Sequence, residues 1–404
     1  MKRAIALALA LAAPMASAQM LSGPVVVRWT QTFSSPGDDW INDILLLDSG
    51  AALVVGFLNR VDGETPSDWR GLAAELDVET GAIVRQSEYG EGGGIDALWT
   101  ALQSPEGYIF GGFTSRFGAG GLDAWVLRTD SAGALLGEAA FGEADYDRIT
   151  DLAPAGGGGW IGAGHSVADG ARRVLLLKVD AQGREQWRRI LVEGDSSGAL
   201  YIEPAGDGGF IVSGGTATAD DGDLLVLKFD GAGNEIWRRI IGAPVTADIN
   251  HGLAVRADGS IIAIGYTQSW GARDRDFFAV TLAPDGTLLN RAVFGGEGDD
   301  RPISVRIGPD GRAWLIGYTR SANARGDWDV IVAALATQGA FEPGIAILAG
   351  PADDNGAAIQ PLPDGDLLIG GYSASSSGAD ADGFVMRIAP PELARADPRF
   401  SQRP

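Results

Sequence analysis

The sequence predicts an all-β protein, a seven-bladed β-propeller with four antiparallel strands in each blade. Three observations lead to this fold: a segment that recurs seven times, four short apolar runs in each repeat, and chain ends that complement one another. The chain has 404 residues, of which 45% are hydrophobic, and it contains 60 glycines and 19 prolines. A chain of this length and hydrophobicity can bury a sizeable core.

The recurring segment has two or three apolar residues, a glycine, an aromatic or small residue, and then usually Thr, Ser or Asn. Its anchoring glycines are Gly56, Gly112, Gly164, Gly214, Gly265, Gly317 and Gly371. Successive glycines lie 50 to 56 residues apart. Turn signals such as Asp258-Gly and Pro309-Asp-Gly precede most copies, as expected of tight turns between strands. A regular period of this length indicates a repeat architecture.

Each repeat contains about four short runs rich in Val, Ile, Leu and aromatic residues, which is typical of β-strands. In the sixth repeat these runs are residues 303–307, 313–319, 329–335 and 341–348. The third run is almost continuously apolar, which predicts a strand with both faces buried. Four-stranded units closed into a circle leave no long exposed edge, and this favours a propeller.

The two ends of the chain predict how the circle closes. Residues 25–33 read as the fourth strand of a repeat, because Arg28-Trp29 aligns with the sequence around Trp237. The last repeat stops after its third strand, residues 382–388. The N-terminal strand is therefore predicted to complete the last blade of a propeller over residues 25–389. Residues 390–404 are rich in Pro and Arg and are predicted to be a disordered tail.

Residues 1–18 are predicted to be a cleavable secretory signal. Lys2 and Arg3 form its positive start, an apolar stretch follows, and Ala16-Ser17-Ala18 is the small-residue cleavage site. Residues 19–24 are a short linker, and the mature chain should begin at Gln19. The apolar stretch is too short to span a bilayer, and no later one is long enough. We therefore expect a bacterial periplasmic or secreted protein.

Composition excludes several classes of function. With 31 Lys+Arg against 53 Asp+Glu, the net charge is −22, which argues against nucleic-acid binding. The absence of Cys excludes disulfides, thiolate metal sites and a Cys nucleophile. With two His, a His-built transition-metal site is not expected, and no metal ligands are assigned.

The stretch at residues 294–319, FGGEGDDRPISVRIGPDGRAWLIGYT, resembles the repeats of exported bacterial β-propeller proteins. Those repeats of about fifty residues carry a Gly-Gly-x-x-Asp-Asp start, an Asp-Gly-Gly turn and a Gly-Tyr-Thr end. The resemblance covers about residues 25–389 and implies the propeller fold and export, but no particular function.

Residues 179–187 and 229–237 are similar, more weakly, to the repeat signature of quinoprotein-like propellers, in which a Trp docks between adjacent blades. Trp187 and Trp237 match that position. The resemblance implies a packing role for both. The adjacent cysteines found in many quinoprotein dehydrogenases are missing.

Several polar positions recur with the repeat. One Asp opens the third strand of five blades and is predicted to accept backbone N–H bonds and fix the preceding loop; these residues are Asp123, Asp223, Asp276, Asp329 and Asp382. His165 stands where other repeats have Tyr and is predicted to pack. His251 lies near Asp248, but no motif ties a nucleophile to this pair, so no catalytic residue is assigned.

The candidate binding residues are acids and tryptophans in connections that a propeller brings to one face. These connections are the crossings between blades and the long loops between the second and third strands, such as residues 59–71, 267–276, 319–329 and 373–382. The candidates are Trp69, Trp270, Trp328, Asp299, Asp300, Asp353 and Asp354. Such a face suits a protein partner, a cationic ligand or a sugar stacked on indole. Calcium is left open, because carboxylates and loop carbonyls are its usual ligands but no calcium-loop motif is present.

Two functions remain open. The first is a non-enzymatic exported binding or scaffold module that presents this acidic, Trp-containing face and uses no cofactor. The alternative is a propeller enzyme, either glycan-active or a quinone-dependent oxidoreductase, that uses carboxylates near the central channel.

Overall fold

Seven antiparallel sheets follow one another around a central axis in the computed structural model, so the predicted seven-bladed propeller is confirmed. The structure describes residues 25–60, 68–90, 93–143, 145–168, 170–218, 221–242, 248–323, 325–375, 380–391 and 396–403. The predicted signal at 1–18 and the linker at 19–24 lie outside these residues.

The blades are built from strands in chain order. Strand β1 (Val27–Phe33) comes first. Blade 1 is β2 (Trp40–Leu46), β3 (Ala52–Asn59), β4 (Trp69–Leu76) and β5 (Ile83–Tyr89); blade 2 is β6 (Asp96–Ser104), β7 (Gly107–Thr114), β8 (Asp123–Asp130) and β9 (Leu135–Phe141); and blade 3 is β10 (Asp147–Pro154), β11 (Trp160–Ala168), β12 (Ala171–Val179) and β13 (Glu185–Leu191). A short 3-10 turn, Gly156–Gly158, joins β10 to β11.

The remaining blades have the same order. Blade 4 is β14 (Ser196–Pro204), β15 (Phe210–Thr218), β16 (Asp221–Phe229) and β17 (Glu235–Ile241); blade 5 is β18 (Asp248–Val255), β19 (Ile261–Thr267), β20 (Asp276–Leu282) and β21 (Leu288–Gly295); blade 6 is β22 (Asp300–Ile307), β23 (Ala313–Thr319), β24 (Asp329–Leu335) and β25 (Ala346–Leu348); and blade 7 begins with β26 (Asp354–Pro361), β27 (Leu367–Ser373) and β28 (Asp382–Ile388).

The N-terminal strand closes the circle, as the sequence predicts. Strand β1 pairs antiparallel with β28 in blade 7, with Thr30 opposite Met386. The indole N–H of Trp29 donates to the carbonyl of Val78 in blade 1 at 2.8 Å. Trp29 therefore docks on the next blade, which is the place that its alignment with Trp237 implies.

The prediction of a disordered tail is wrong for residues 396–403. Strand β29 (Ser401–Arg403) adds a fifth strand to blade 5 by pairing with β21, with Gln402 opposite Phe294. The Phe400 ring is buried and stacks on Phe294 with ring centroids 5.8 Å apart. One aromatic side chain near the end of a polar segment is enough to anchor it, because the outer edge of blade 5 offers unpaired backbone groups.

Apolar layers between neighbouring blades form the core. The third strands β20, β24 and β28 are buried along their whole length, which agrees with their continuous apolar sequence. Side chains from two blades interlock in each layer; Leu176 of blade 3 and Phe210 of blade 4, for example, belong to one cluster. Each blade thus depends on both neighbours for burial.

The anchoring glycines have a steric cause. The innermost strand of every blade contains a β-bulge, as between Ile149 and Asp151, opposite the glycine of the second strand. A Cβ on Gly164 would lie 1.9 Å from the carbonyl oxygen of Arg148, and one on Gly56 would lie 1.8 Å from that of Trp40. Only glycine fits there, and the bulge turns the next inner-strand residues towards the axis.

The two faces of the disc differ. One carries the crossings between blades and the connections between second and third strands, and we call it the loop face. The other carries the short turns between first and second strands, and we call it the turn face. Inner strands run from the loop face to the turn face, so their first residues surround the loop-face mouth of the channel.

Candidate functional site

The predicted binding acids of blade 6 lie at its loop-face entry and bond within the fold. Asp299 forms ion pairs with Arg275 at 3.1 Å and with Arg301 at 2.6 Å. Asp300 is fully buried and accepts hydrogen bonds from the backbone N–H of Gly296 and the hydroxyls of Ser321 and Thr319. Burial raises the pKa of Asp300 to about 7 despite these bonds.

The equivalent acids of blade 7 are held in the same way. Asp353 accepts the backbone N–H of Trp328 at 2.9 Å. Asp354 is buried, accepts the hydroxyl of Ser375 at 3.0 Å, and has a pKa raised by burial. These contacts fix the crossings between blades.

The three candidate tryptophans do not converge on one point. Trp69 stacks on Phe57, with ring centroids 4.4 Å apart, near the channel between blades 1 and 2. Trp328 lies by blade 6 with the guanidinium of Arg320 4.1 Å from its ring centre. Trp270 packs on Phe278, in the layer between blades 4 and 5, and beneath Arg291 of the outer strand β21. The expectation of three tryptophans on one rim therefore fails for Trp270, which lies towards the periphery.

The residues predicted to be structural occupy positions suited to that role. The ring of Trp187 would lie 2.6 Å from a Cβ on Gly233 of the next blade, and Trp237 meets Gly286 in the same way at 3.0 Å. Asp123 accepts the backbone N–H groups of Ala119 and Gly120 in the loop before β8. The equivalent residues Asp276, Asp329 and Asp382 are buried as the first residues of their strands, whereas Asp223 is half-buried and lies two residues after the start of β16, so it does not open that strand as predicted.

The largest feature of the loop-face mouth is a series of contacting rings that runs through blades 7, 1, 2 and 3. Consecutive ring centroids lie between 4.3 and 6.5 Å apart. We call this set the aromatic arc, and its members are Tyr372, Trp40, Phe57, Trp69, Phe113, Trp99, Tyr146 and His165. Its Trp and Tyr members are half-buried, whereas its two Phe rings and His165 are buried beneath them.

Two repeat positions supply five of the eight rings of the arc. One is the residue after the anchoring glycine, which is Phe57 in blade 1 and Phe113 in blade 2. The other is the bulged residue of the inner strand, which is Trp99 in blade 2. In blade 4 the residue after the anchoring glycine is Gly215, so the arc ends there.

Two arginines lie at the end of the arc. The guanidinium of Arg148 lies over Trp99, 4.9 Å from the ring centre, and one of its N–H groups is 3.5 Å from the Tyr146 hydroxyl. Burial lowers the pKa of Arg148, and the charge of Arg172 lowers it further. Neither arginine has an ion-pair partner within the described part of the chain.

Both histidines are neutral at physiological pH. Burial, with the charges of Arg148 and Arg172, lowers the pKa of His165 to about 2, and both of its ring nitrogens are buried without a hydrogen-bond partner among the described residues. Burial and the charge of Arg301 lower the pKa of His251 to about 4. Nothing is described of the Asp248 side chain, so the predicted His251–Asp248 pair falls outside the described structure.

Tyr201 crosses the channel below the arc. It comes from blade 4, and its hydroxyl donates to the carbonyl of Ile303 in blade 6 at 2.7 Å. On the turn-face side lies a cavity of about 170 Å³ lined by the second halves of inner strands, down to Pro154 and Pro204. We call it the carboxylate chamber, and its polar lining is Asp43, Thr100, Asp151, Glu203, Arg306 and Gln360.

The carboxylate chamber is a network of compensating charges. The hydroxyl of Thr100 lies 3.2 Å from a carboxylate oxygen of Asp43 and 3.2 Å from one of Asp151. Arg306 reaches Asp43 at 3.4 Å. Burial raises the pKa of Asp151 to about 7 and also raises that of Glu203. In the described ranges no group of three or more acids and histidines has a geometry that could hold a metal ion.

Sequence reasoning missed Arg148, Arg172, Trp99 and the chamber residues. Arg148, Trp99 and the chamber residues lie at or near the inner-strand bulges, where the alternation of side chains breaks, so periodicity could not show which ones face the axis. Arg172 lies instead near the start of the third strand β12. The sequence does contain one signal of this region. Gly215 follows its anchoring glycine in the one repeat where a glycine replaces the aromatic ring or imidazole.

No protein-family model matches the chain, and no curated protein matches it. Solved structures show what its fold is similar to. The periplasmic gluconolactonase PpgL of Pseudomonas aeruginosa aligns with a TM-score of 0.53 and 14% identity, over 78% of this chain and 87% of that one. The polysaccharide lyase Uly1 aligns at 0.53 and 12%, over 88% and 90%. Sqt1 from Chaetomium thermophilum aligns at 0.51 and 12%, over 88% and 96%. At such identities the likeness concerns the fold alone.

No helix in the described residues is long and apolar enough to cross a membrane.

Proposed function

We propose that the protein is a non-catalytic binding module, periplasmic or secreted, that holds a saccharide at the loop-face mouth of its channel. The aromatic arc is the observation that carries this proposal. Its Trp and Tyr rings are half-buried, so part of each ring and its polar edge is exposed to a ligand, which suits the C–H faces and hydroxyls of sugar rings.

The rings of the arc are held in place before any ligand arrives. Trp40 is fixed between Tyr372 at 4.3 Å and Phe57 at 5.8 Å, and Trp69 is fixed by Phe57 at 4.4 Å. Side chains already ordered lose little conformational entropy on binding, so more of the contact energy appears as affinity.

The location of the acids favours a saccharide over a cationic ligand. Asp299, Asp300, Asp353 and Asp354 are each bonded to arginine, hydroxyl or backbone N–H groups, so few carboxylate oxygens remain for a cation. The loop-face mouth instead presents rings and guanidinium groups. Calcium remains an option to be tested by melting the protein with calcium and with chelator.

The kinds of side chain at the loop-face mouth also favour binding over catalysis. Arginine, indole and phenol are poor proton donors and acceptors near neutral pH, and both histidines are held neutral by depressed pKa values. At the loop face, Asp300 has a raised pKa but is buried and hydrogen-bonded to Gly296, Thr319 and Ser321. The carboxyls of the carboxylate chamber lie beyond Tyr201.

A propeller enzyme is the second candidate, because Asp43 and Asp151 approach one hydroxyl in the carboxylate chamber and Asp151 can hold a proton near neutral pH. Two neighbouring carboxyls in different protonation states are the requirement for glycoside hydrolysis. The similar structures include a gluconolactonase, a polysaccharide lyase and Sqt1, whose name denotes no enzyme, so the fold does not choose between the candidates.

The test is binding to a panel of soluble polysaccharides, neutral and acidic, by affinity electrophoresis and calorimetry. We expect one or more to bind, Trp99→Ala to weaken binding at least tenfold, and Trp270→Ala to leave it unchanged. Trp270 is the matched control, because it is also a half-buried Trp beneath an arginine but lies towards the periphery. No binding by any polysaccharide, or equal loss in both variants, would refute the proposal.

Sugar release by the wild-type protein, abolished in Asp151→Asn, would favour the enzyme instead. Dye-linked oxidation with added pyrroloquinoline quinone and calcium tests its quinone-dependent form.

A further inference from the structure

Arg148 is a cation with no anion beside it among the described residues. It lies on the inner strand of blade 3, half-buried at the loop-face mouth, and its Nε is buried without a hydrogen-bond partner in the described structure. Its contacts are the face of Trp99 and, at 3.5 Å, the Tyr146 hydroxyl. Several other loop-face arginines are paired: Arg116 reaches Asp96 at 2.8 Å, and Arg275 and Arg301 both reach Asp299.

Burying an uncompensated charge is unfavourable, and such positions usually either pair or shift their pKa. Arg148 shows the second response, since burial and the second cation, Arg172, lower its pKa. An anionic group brought by a ligand would relieve both the desolvation and the repulsion, so the site is electrostatically suited to one.

The space beside these arginines comes from blade 4. Gly215 replaces the ring found at this position in other blades, and a Cβ added to it would meet one atom of the described residues within 4 Å, at 3.9 Å. Gly198 is its cross-strand partner in the same sheet, and a Cβ added to Gly198 would meet the Cδ of Arg172 at 3.0 Å and the Cβ of His165 at 3.5 Å. We call the set Arg148, His165, Arg172, Gly198 and Gly215 the blade 4 niche.

We propose that the saccharide carries a carboxylate, as a uronic acid does, and that Arg148 and Arg172 bind this carboxylate in the blade 4 niche while Trp99 stacks against a sugar ring. The inference rests on the proposed function and narrows its ligand class. Guanidinium groups match the planar carboxylate with two parallel N–H bonds, which a neutral sugar hydroxyl cannot reciprocate.

The net charge of the protein limits the charge density of the anionic ligand that can bind. A net charge of −22 repels a densely charged polymer such as a nucleic acid. A saccharide with one carboxylate per ring or fewer meets less repulsion, and it satisfies the indole and the guanidinium groups at once.

The experiment measures dissociation constants at low and moderate salt for oligogalacturonate, alginate oligomers and hyaluronan oligomers. The methyl ester of whichever binds is the matched neutral probe, because esterification removes the charge and keeps the ring. We expect the free acid to bind at least tenfold more tightly than its ester, with a difference that shrinks as salt is added.

Arg148→Gln and Arg172→Gln should each abolish most of this preference, whereas Arg291→Gln, at the peripheral Trp270, should preserve it. Equal binding of acid and ester, or an unchanged preference in both variants, would overturn the inference and leave saccharide binding intact. If only neutral polysaccharides bind, the inference fails alone; if nothing binds, the proposed function fails with it. Circular dichroism and melting confirm that each variant is folded.

Discussion

Arg148 and Arg306 approach the same channel from the inner strands of blades 3 and 6, but their surroundings are opposite. Burial tends to lower the pKa of both. For Arg306 the carboxylates of Asp43, Glu203 and Asp151 outweigh burial and raise the pKa. For Arg148 no carboxylate of the described residues opposes burial, and its pKa falls. Arg306 is therefore paired by carboxylates of the protein itself, whereas Arg148 is placed to pair with an anionic group of a ligand.

Tyr201 keeps the two environments apart. Its ring spans the channel between the aromatic arc and the carboxylate chamber, and burial beside Asp151 raises its pKa, so it stays neutral. The two arginines therefore have different partners, and substitutions at the two positions should change the free energy of unfolding in opposite directions.

The largest effect is expected for Arg306→Gln. Removing this cation leaves the buried carboxyls of the chamber facing one another, and breaking such a buried network typically costs about 3–5 kcal/mol of unfolding free energy. Denaturant unfolding at pH 8 measures it. The loss should be smaller at pH 5, where carboxyls take up protons. A loss below about 1 kcal/mol at pH 8 would mean that the chamber is well solvated and the comparison is wrong.

The next effect is a dependence of stability on pH at the chamber. The pKa of Asp151 rises from 3.8 to about 7 on folding, so between these values the folded chain holds a proton that the unfolded chain has released. The contribution of Asp151 to stability is therefore complete below its unfolded pKa of 3.8 and is lost as pH rises from there through 7, by on the order of 4 kcal/mol.

Asp151→Asn should reduce the decrease in unfolding free energy with rising pH. Asp300 and the other buried carboxyls should preserve part of this decrease. The measurement is a set of unfolding curves between pH 5 and pH 8 for both proteins. Identical slopes would show that Asp151 is ionised throughout the range.

The smallest effect is expected for Arg148→Gln without ligand. The variant loses a cation–π contact worth about 0.5–1 kcal/mol, but it also loses the cost of an unpaired, partly buried charge. We expect a change in unfolding free energy within about 1 kcal/mol, on the stabilising side. A large destabilisation would show that Arg148 belongs to the fold and would remove the contrast with Arg306.

The repeat pattern was sufficient to predict the blades and their closure. Glycine spacing, continuous apolar third strands and the match of Arg28-Trp29 to the Trp237 region each have a direct steric or packing cause, seen at Gly164 and Trp29. The C-terminal strand escaped prediction because it depends on one ring, Phe400, and on an edge that only the folded blade 5 provides.

The candidate site was harder to predict. Paired acids such as Asp299-Asp300 are conspicuous in sequence, but the structure uses them to hold the crossings between blades. Which side chains face the axis depends on where each bulge turns the inner strand. That placement is a tertiary feature, and Trp99, Arg148 and Arg306 carry no local signal of it.

The pairing of Thr30 with Met386 has a consequence for biosynthesis. Among the described strands, β1 emerges from the ribosome first, and its partner β28 emerges only after β2 to β27. Through most of synthesis β1 remains a solitary strand with free N–H and C=O groups, and the growing stack of blades stays open at one side. Open strands of this kind pair readily with other chains. A cell that makes this protein must therefore shield its first strand until its last blade has been translated.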